Sequence, residues 1–449
     1  MPGVVWPALP SGRGAAVFAL IRQLEESQWW SPDALEAQQF RQLSILVEHA
    51  WRTVPFYRPR LEAAGYSPGS AVDPELWQRV APLTRAEAQA AGPDINSNDV
   101  PKKFGRIGEN STSGSTGQPL VVRKTELDQL FWSAFTLRDH LWQERDFSRS
   151  FAAIRRFPDG VARYPEGAKG TTWDAGTKVT YRTGPAYGLT IFSSVAEQAE
   201  WLSRVDPAYL LSYPSNLAAL AEHCRARAIV LPGLRLVGTF GELVSAETRE
   251  IVREVWGREL ADVYSSQEVG YLAVQCPQAA HYHVQSEGVL LEVVNESGDP
   301  CGPGEIGRVL ITSLHAFGTL LLRYELGDYA EVGEPCSCGR GLPVLNRIVG
   351  RVRNMLVLPN GDRYWPAFGM RKLVKIAPVK QILFVQTALD TIEINLSVFE
   401  PLSPEQEEAL RQHLQRLLPQ PFNFLFKYHD ELPRSQGGKQ EDFRCDVKL

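Results

Sequence analysis

The chain has 449 residues, of which 44% are hydrophobic and 22% are charged. This composition is typical of a folded globular protein and excludes a largely disordered chain, and the length predicts at least two domains. The formal net charge of −5 argues against a nucleic-acid partner or an anionic membrane, because such binders usually carry a basic surplus. Any bound phosphate is therefore expected to be held by a local site.

The N-terminal residues lack the basic and apolar regions of a signal peptide, and no stretch approaches 18 uninterrupted apolar residues. We therefore predict a cytoplasmic protein without a membrane partner. The six cysteines are too few for a disulfide scaffold in a chain of this length. They are expected to be buried thiols, nucleophiles or metal ligands.

The first predicted element is a helix that follows Ser31, its expected N-cap, with Pro32 at the first helical position and Pro55 ending it. Farther along, strand-like runs alternate with a helical period in "LRLVGTF", "SAETREIVREVWG" and "LADVYSS". This alternation indicates an α/β architecture with a partly parallel sheet. The runs "VLLEVV" and "GRVLITSL" flank a turn-rich segment and predict a hairpin or meander.

The last hundred residues have a different pattern. A strand-like alternation at 392–398 precedes a helix whose capping box would be Ser403 and Gln406, and the strand-like run "FNFLFKYH" follows. We therefore predict an α/β protein with a large, multi-subdomain N-terminal α/β domain over residues 1–350 and a small C-terminal α+β domain over residues 351–449.

The segment "NSTSGSTGQPLVV", residues 110–122, combines five hydroxyl side chains with two glycines. Such a segment is either a flexible linker or a loop whose backbone N–H groups and hydroxyls surround an anion. It lacks the G-x-x-x-x-G-K-[ST] spacing of the P-loop, and on its own the composition favours the linker.

Six stretches occur in a definite order: "STSGSTGQP", "GELVSAETR", "YSSQE", "LLRYELGD", "GRVRN" and "PRSQGGK". Together they resemble the adenylate-forming superfamily of acyl-CoA synthetases, and within it the phenylacetate–CoA ligases and their capsule-biosynthesis relatives. "VPFYRPRLEAAG", "YPSNLAALA" and "CSCGRGLP" add to the likeness. The resemblance covers nearly the whole chain.

The resemblance implies ATP-dependent activation of a carboxylic acid as an acyl-adenylate, followed by transfer to a thiol, with CoA as the expected acceptor. It also implies that the C-terminal domain is mobile and turns about a hinge in "GRVRN". Lys439, Glu268 and Thr116 would be catalytic, and Glu268 would also hold Mg²⁺, which prefers oxygen ligands. Lys439 would stabilise the charge that develops as the adenylate forms.

The same resemblance implies a binding site for ATP and AMP. Gly241 and Glu242 would border the adenine, Tyr264 would pack beside the nucleotide, and Asp328 would accept hydrogen bonds from the ribose, supported by Arg351. The remaining expected nucleotide contacts are Ser111, Thr112, Ser113, Gly114, Ser115, Thr116, Gly117, Ser265, Ser266 and Gln267.

The cysteines suggest a structural zinc site. Cys276 lies seven residues before His283, and one residue separates Cys336 from Cys338. Thiolate and imidazole are the ligands that tetrahedral Zn²⁺ prefers, although buried thiols with a surface histidine would explain the spacing equally well. A similar Cys/His set in the resembled branch favours zinc, with His281 as a competing fourth ligand.

The chain also departs from the family pattern. Gln118 stands where the loop commonly has lysine, Ser265 replaces a frequent glycine, and Asn354 occupies a hinge position that is usually charged. Alternatives to CoA therefore stay open, namely transfer to an amine or to a carrier-protein thiol. A non-catalytic, zinc-stabilised nucleotide-binding protein is a further alternative, and a homodimer is possible.

Overall fold

The structure is a computed structural model that describes residues 9–111, 120–366, 368–432, 438 and 442–447, without the side chains of residues 370 and 371. Its N-terminal part is helical and comprises α1 (Gly12–Ser27), α2 (Pro32–Thr53), α3 (Arg58–Ala63), α4 (Pro74–Arg79) and α5 (Arg85–Ala91). The predicted helix is confirmed as α2. The Ser31 side chain accepts a hydrogen bond from the Ala34 N–H, and the helix ends two residues before Pro55.

A hairpin and a long helix follow. The strands β1 (Ile107–Ser111) and β2 (Val121–Thr125) pair antiparallel, with Ser111 opposite Val121. Helix α6 (Glu126–Trp142) begins directly after β2, where Thr125 and Asp128 form a capping box. Because both ends of the segment 112–119 join one pair of strands, the interpretation as a linker between domains is wrong.

The centre of the molecule is a twelve-stranded mixed sheet in the order β11-β12-β13-β14-β10-β9-β8-β7-β6-β3-β5-β4. Its strands are β3 (Phe151–Arg155), β4 (Ala168–Gly170), β5 (Ala186–Thr190), β6 (Tyr209–Ser212), β7 (Leu236–Phe240), β8 (Leu260–Ser266), β9 (Gly270–Gln275), β10 (Tyr282–Val284), β11 (Val289–Val294), β12 (Ile306–Ser313), β13 (Tyr324–Val332) and β14 (Val344–Arg351). The associated helices are α7 (Ala175–Thr180), α8 (Val195–Val205), α9 (Pro214–Ala226) and α10 (Ala246–Trp256).

The two halves of this sheet have different connectivity and separate cores. Strands β5, β3, β6, β7 and β8 pair parallel, and α8, α9 and α10 pack on them around Leu202, Leu217 and Ile251. The other half is antiparallel and packs on the N-terminal helices around Leu46 and Tyr324. The predicted partly parallel sheet and the predicted β11–β12 hairpin are both confirmed.

The C-terminal part has its own sheet, in the order β19-β18-β17-β20. Its elements are β15 (Leu356–Val357), β16 (Arg363–Tyr364), α11 (Met370–Ile376), β17 (Val379–Ala388), β18 (Thr391–Val398), α12 (Pro404–Gln415), β19 (Asn423–Tyr428) and β20 (Phe443–Cys445). The predicted capping box of Ser403 and Gln406 is present. Leu373, Phe384 and Leu410 belong to a core of this part alone. The boundary after residue 350 stays a prediction, and β14 extends one residue beyond it.

Candidate active site

The candidate site lies where the chain leaves the parallel strands of the central sheet. The carboxyl ends of β7 and β8 open into the loops that carry Gly241 and Glu268, and crevices at such strand ends are where open α/β sheets bind ligands. Gly241 follows β7 with φ +78°, a conformation that glycine adopts without strain. The Glu242 carboxylate accepts a hydrogen bond from the Ser215 N–H in the first turn of α9, which fixes this loop against the helix.

Tyr264, Asp328 and Arg351 form one connected group. The Tyr264 hydroxyl donates to Asp328 Oδ2 at 2.8 Å, and Arg351 Nε donates to Asp328 Oδ1 at 3.0 Å. Asp328 and Arg351 are direct partners in the β13–β14 ladder. Each carboxylate oxygen can accept two hydrogen bonds. Asp328 can therefore keep its hydrogen bonds with Tyr264 and Arg351 and still accept one from each of two ribose hydroxyls.

Burial and charge define the protonation states in this group. Burial, together with the neighbouring Asp328 carboxylate, raises the pKa of Tyr264 well above its usual value, so the hydroxyl stays protonated and donates. The Asp328 charge raises the pKa of Arg351. Asp328 is only 7% exposed, and its charge is therefore compensated within the protein.

Glu268 lies beyond the end of β8, and two cations that sequence reasoning missed lie near it. Arg85 Nη1 contacts Glu268 Oε1 at 3.1 Å. Lys124 interacts electrostatically with Asp128 and Glu268, and burial lowers the pKa of Lys124. The Arg85 contact uses one carboxylate oxygen of Glu268 and leaves the other for a metal ion, which fits the oxygen donors that Mg²⁺ prefers. Arg85 comes directly after Thr84, the N-cap of α5. Lys124 lies in the strand after the hydroxyl-rich loop, and neither residue belongs to one of the six motifs.

The three residues between Tyr264 and Glu268 lie in different local environments. Ser265 lies at an irregularity in the β8–β9 pairing, next to Tyr264. The Ser266 hydroxyl accepts a hydrogen bond from the Val269 N–H and so stabilises the turn into β9, while Gln267 is exposed. Of these three, only Ser266 has a clear structural role within the turn.

Several expected site residues lie outside the described residues. They are Thr112, Ser113, Gly114, Ser115, Thr116 and Gly117 in the loop, and Lys439 near the C-terminus. Gln118, the departure from the family pattern, also lies outside the described residues. The flanking positions are described. Ser111 ends β1, and Gly438 packs closely against Ile191 and Tyr213 of the parallel half. Tyr213 in turn contacts the ring of Phe240, the residue before Gly241.

A second group of residues has the composition of a metal site. The ligand atoms of Cys276, His281, His283 and Cys336 all lie within 4.8 Å of one another. Cys276 Sγ is 3.8 Å from Cys336 Sγ, and Cys338 Sγ is 3.4 Å from His283 Nε2. The four predicted ligands and the competing ligand His281 are thus brought together.

These distances fit tetrahedral zinc. With Zn–S bonds of about 2.3 Å and Zn–N bonds of about 2.0–2.1 Å, two sulfur ligands lie about 3.8 Å apart and a sulfur and a nitrogen about 3.5 Å apart. His283 is fully buried, which excludes the alternative of a surface histidine. Burial lowers the pKa of His283 to about 4, so the imidazole is neutral, as metal ligation requires. The buried His281 Nε2 has no hydrogen-bond partner among the described residues, so either His281 or Cys338 can complete the set.

Known proteins are similar to this chain over most of its length. No protein-family model matches the chain. The phenylacetate-coenzyme A ligase of Thermus thermophilus is 26% identical over 442 residues, covering 91% of this chain and 95% of the relative. The enzyme of the same name from Escherichia coli is 25% identical, covering 92% and 96%. The chain is a homologue of phenylacetate–CoA ligases. The predicted resemblance is confirmed, and the ligase names of these homologues agree with the prediction of an enzyme.

Solved structures establish the fold. A 2-hydroxyisobutyryl-CoA ligase in its postadenylation state matches with a TM-score of 0.72 and 18% identity, covering 94% of this chain and 92% of that one. An anthranilate–CoA ligase with bound anthranoyl-AMP matches with a TM-score of 0.53 and 19% identity, covering 74% and 65%. The predicted α/β fold of adenylate-forming ligases, with a large domain and a C-terminal α+β portion, is thus confirmed. Among the described helices, none is both long and apolar enough to cross a membrane.

Proposed function

We propose that this protein is an AMP-forming acid–thiol ligase. It would use ATP to convert a carboxylic acid into an acyl-adenylate and then transfer the acyl group to the thiol of CoA. The single observation that carries this proposal is the Tyr264–Asp328–Arg351 group beside Glu268, in a chain similar to phenylacetate–CoA ligases over 91% of its length. Solved structural neighbours that hold acyl-AMP and CoA add support.

In the first half-reaction, the protein has to bring two anions into line and stabilise the charge on the phosphoryl oxygens. Asp328 would orient the ribose, with Gly241 and Glu242 beside the adenine. The hydroxyls and backbone N–H groups of Ser111 and the following loop residues would surround the β- and γ-phosphates. Mg²⁺, when bound at Glu268, would neutralise phosphate charge. Lys439 would stabilise the developing adenylate.

In the second half-reaction, the residues from 351 to 449 would act as a mobile domain that turns at the segment containing Asn354. We propose that residues 1–350 form the domain that keeps the adenylate while CoA enters. The names of the relatives make phenylacetate and other aryl acids the first acids to test, and small hydroxy acids the second.

The proposed zinc ion would be structural. Cys276 and His283 belong to the β9–β10 turn region, and Cys336 and Cys338 belong to the loop between β13 and β14. The metal would cross-link these two connections. Four protein ligands would complete the tetrahedral coordination and leave no site on the metal for a substrate or water.

The decisive experiment is acid-dependent exchange of pyrophosphate into ATP, measured with aryl and aliphatic acids in the presence of Mg²⁺. We expect exchange with at least one acid and, after addition of CoA, the matching thioester and AMP in equal amounts. Exchange without thioester formation would point to an amine or a carrier protein as the acceptor. The complete absence of exchange with every acid would instead support a non-catalytic nucleotide-binding protein.

A further inference from the structure

The segment "CSCGRGLP", residues 336–343, contributes two of the proposed zinc ligands and places Arg340 beside them. Arg340 lies two residues after Cys338 and two residues before Leu342. These two neighbours lie near the two ring nitrogens of His283. Cys338 Sγ is 3.4 Å from Nε2, and the Leu342 carbonyl oxygen is 3.4 Å from Nδ1. Arg340 is therefore at the centre of the stretch that surrounds this imidazole.

The Arg340 side chain is held between two indole rings. Its guanidinium carbon lies 4.8 Å from the ring centroid of Trp29 and 4.4 Å from that of Trp142, within the range of cation–π contacts. Arg340 Nε donates a hydrogen bond to Gln28 Oε1 at 2.9 Å, and the Trp142 indole N–H donates to the same oxygen at 3.0 Å. The Trp142 ring also packs edge-on against the His283 ring, with 5.8 Å between the centroids. Gln28, Trp29 and Trp142 thus form a pocket for one guanidinium group, the arginine pocket.

The backbone beside Arg340 is attached to the same turn after α1. The Gly341 N–H donates a hydrogen bond to the Gln28 carbonyl oxygen at 2.9 Å. A Cβ at Gly341 would collide with the Trp30 carbonyl oxygen, so only glycine allows this close approach of the two backbones. Both the side chain and the backbone of this stretch are therefore anchored outside the cysteine loop itself.

We propose that Arg340 is a positioning residue of the metal site and that, held in the arginine pocket, it keeps Cys338 at ligand distance from the metal. Cys338 is then the fourth ligand, and His281 is not. The proposal rests on the proposed zinc site. A planar guanidinium can stack between two rings and donate from Nε at the same time, whereas the lysine ammonium has the charge without this geometry. Arg340 acts on the metal through the loop and does not contact it.

The first test measures the zinc affinity of the purified protein by competition with a chromophoric chelator. We expect Arg340→Lys to raise the zinc Kd by about tenfold or more, because lysine keeps the charge but loses the stacking and the Nε donor. A zinc Kd equal to that of the wild type would refute the positioning role. The matched control is Arg411→Lys. Arg411 also lies over an aromatic ring, 5.2 Å from the centroid of Phe426 in the C-terminal part, and its replacement should leave the zinc Kd unchanged.

The second test replaces zinc by Co²⁺, whose visible spectrum reports thiolate ligands through their charge-transfer band. We expect this band to decrease in Arg340→Lys toward its intensity in Cys338→Ser, because the loop no longer holds that thiolate at the metal. A band that decreases in Cys338→Ser but keeps its wild-type intensity in Arg340→Lys would contradict the proposal. A band that is unchanged in Cys338→Ser would also contradict it, since Cys338 would then not be a ligand.

A role of Arg340 in packing alone has a different signature. A ligand that binds only the folded state raises the Tm by an amount that depends on its Kd. If Arg340 positions Cys338, the increase in Tm on addition of zinc is smaller in Arg340→Lys than in the wild type. A Tm that falls equally with and without zinc would refute the positioning role.

A second variant covers the case in which Arg340→Lys does not fold. Gln28→Met removes the acceptor of the Arg340 hydrogen bond and leaves the arginine in place, so it should also raise the zinc Kd. An unchanged Kd in that variant would refute the role of the arginine pocket. Wild-type protein that binds neither zinc nor Co²⁺ would overturn the proposed metal site, whereas pyrophosphate exchange tests the proposed ligase activity separately.

Discussion

Asp328 connects three parts of the candidate nucleotide site, because its two carboxylate oxygens contact Tyr264 on β8 and Arg351 on β14. The carboxylate is nearly buried, so its negative charge depends on these two partners. At the residue scale, this group is therefore the most direct place to test nucleotide binding.

Replacing Asp328 by asparagine should weaken AMP binding by about tenfold or more, because the amide loses the charge paired with Arg351 and one acceptor. The AMP Kd of Asp328→Asn, measured by calorimetry, checks this expectation. Asp299→Asn, at an exposed turn, serves as the control and should bind AMP like the wild type. An unchanged AMP Kd in Asp328→Asn would remove Asp328 from the nucleotide site.

His315, which lies outside the proposed zinc site, allows a prediction of how the free energy of unfolding depends on pH. Burial lowers its pKa to about 4 from a usual value of 6.5, and its Nε2 lies 2.9 Å from the Glu287 carbonyl oxygen. A histidine with a lowered pKa in the folded state contributes stability that is present above pH 6.5. This contribution is lost as the pH falls toward 4, because the unfolded chain takes up the proton first.

We therefore expect the free energy of unfolding to decrease between pH 6.5 and 4, with His315 contributing at most about 3 kcal/mol. Urea unfolding at several pH values measures this decrease. It should be smaller in His315→Gln than in the wild type, and unchanged in His429→Gln, whose side chain is exposed. Identical pH dependence in all three proteins would contradict the prediction.

At the scale of elements, the sequence predicted what is local and missed what depends on long-range contacts. The caps of α2 and α12 and the β11–β12 hairpin follow from residues only a few positions apart. Arg85 and Glu268 are 183 positions apart in the chain, and they meet in a fold that packs α5 against β13. No spacing rule predicts such a pair. The cysteines were found because their residue type restricts their chemistry.

The proposed zinc site links the β9–β10 turn to the β13–β14 loop and can be tested ligand by ligand. We expect one zinc ion per chain by elemental analysis, and loss of zinc together with a lower Tm in Cys276→Ser and Cys336→Ser. Cys301→Ser, which changes a cysteine outside the cluster, should keep the metal. Comparison of Cys338→Ser with His281→Ala identifies the fourth ligand. If the purified protein contains no zinc, the zinc prediction is wrong and the thiols are core residues.

At the scale of the whole molecule, the α/β class and a C-terminal α+β portion were predictable, but the strand order of the large sheet was not. Strand β14 lies between β13 and β10, and β3 lies between β5 and β6. These neighbours are brought together by packing of entire layers, which the period of a single segment does not encode. The six ordered motifs indicated the fold through resemblance.

The proposed change of domain arrangement between the two half-reactions can be tested at Lys439. This lysine would act in adenylate formation and not in transfer to CoA. Lys439→Ala should abolish acid-dependent pyrophosphate–ATP exchange and leave CoA transfer to a supplied acyl-adenylate largely intact. Thioester formation from the purified adenylate measures the second step, with Lys427→Ala as the control on the exposed face of β19. Equal loss of both half-reactions would refute the assignment.

Arg351, the last residue of β14, is hydrogen-bonded to the carboxylate proposed to bind the ribose. Under the proposed function, occupancy of the nucleotide site and the path of the chain after Arg351 would be thermodynamically linked, and such linkage is reciprocal. If AMP binds one arrangement of the C-terminal residues more tightly by a given factor, AMP shifts the ratio of the two arrangements by that same factor. Measuring AMP affinity in variants that restrain residues 352–354 would thus yield the free energy by which AMP favours one arrangement, without observing the motion itself.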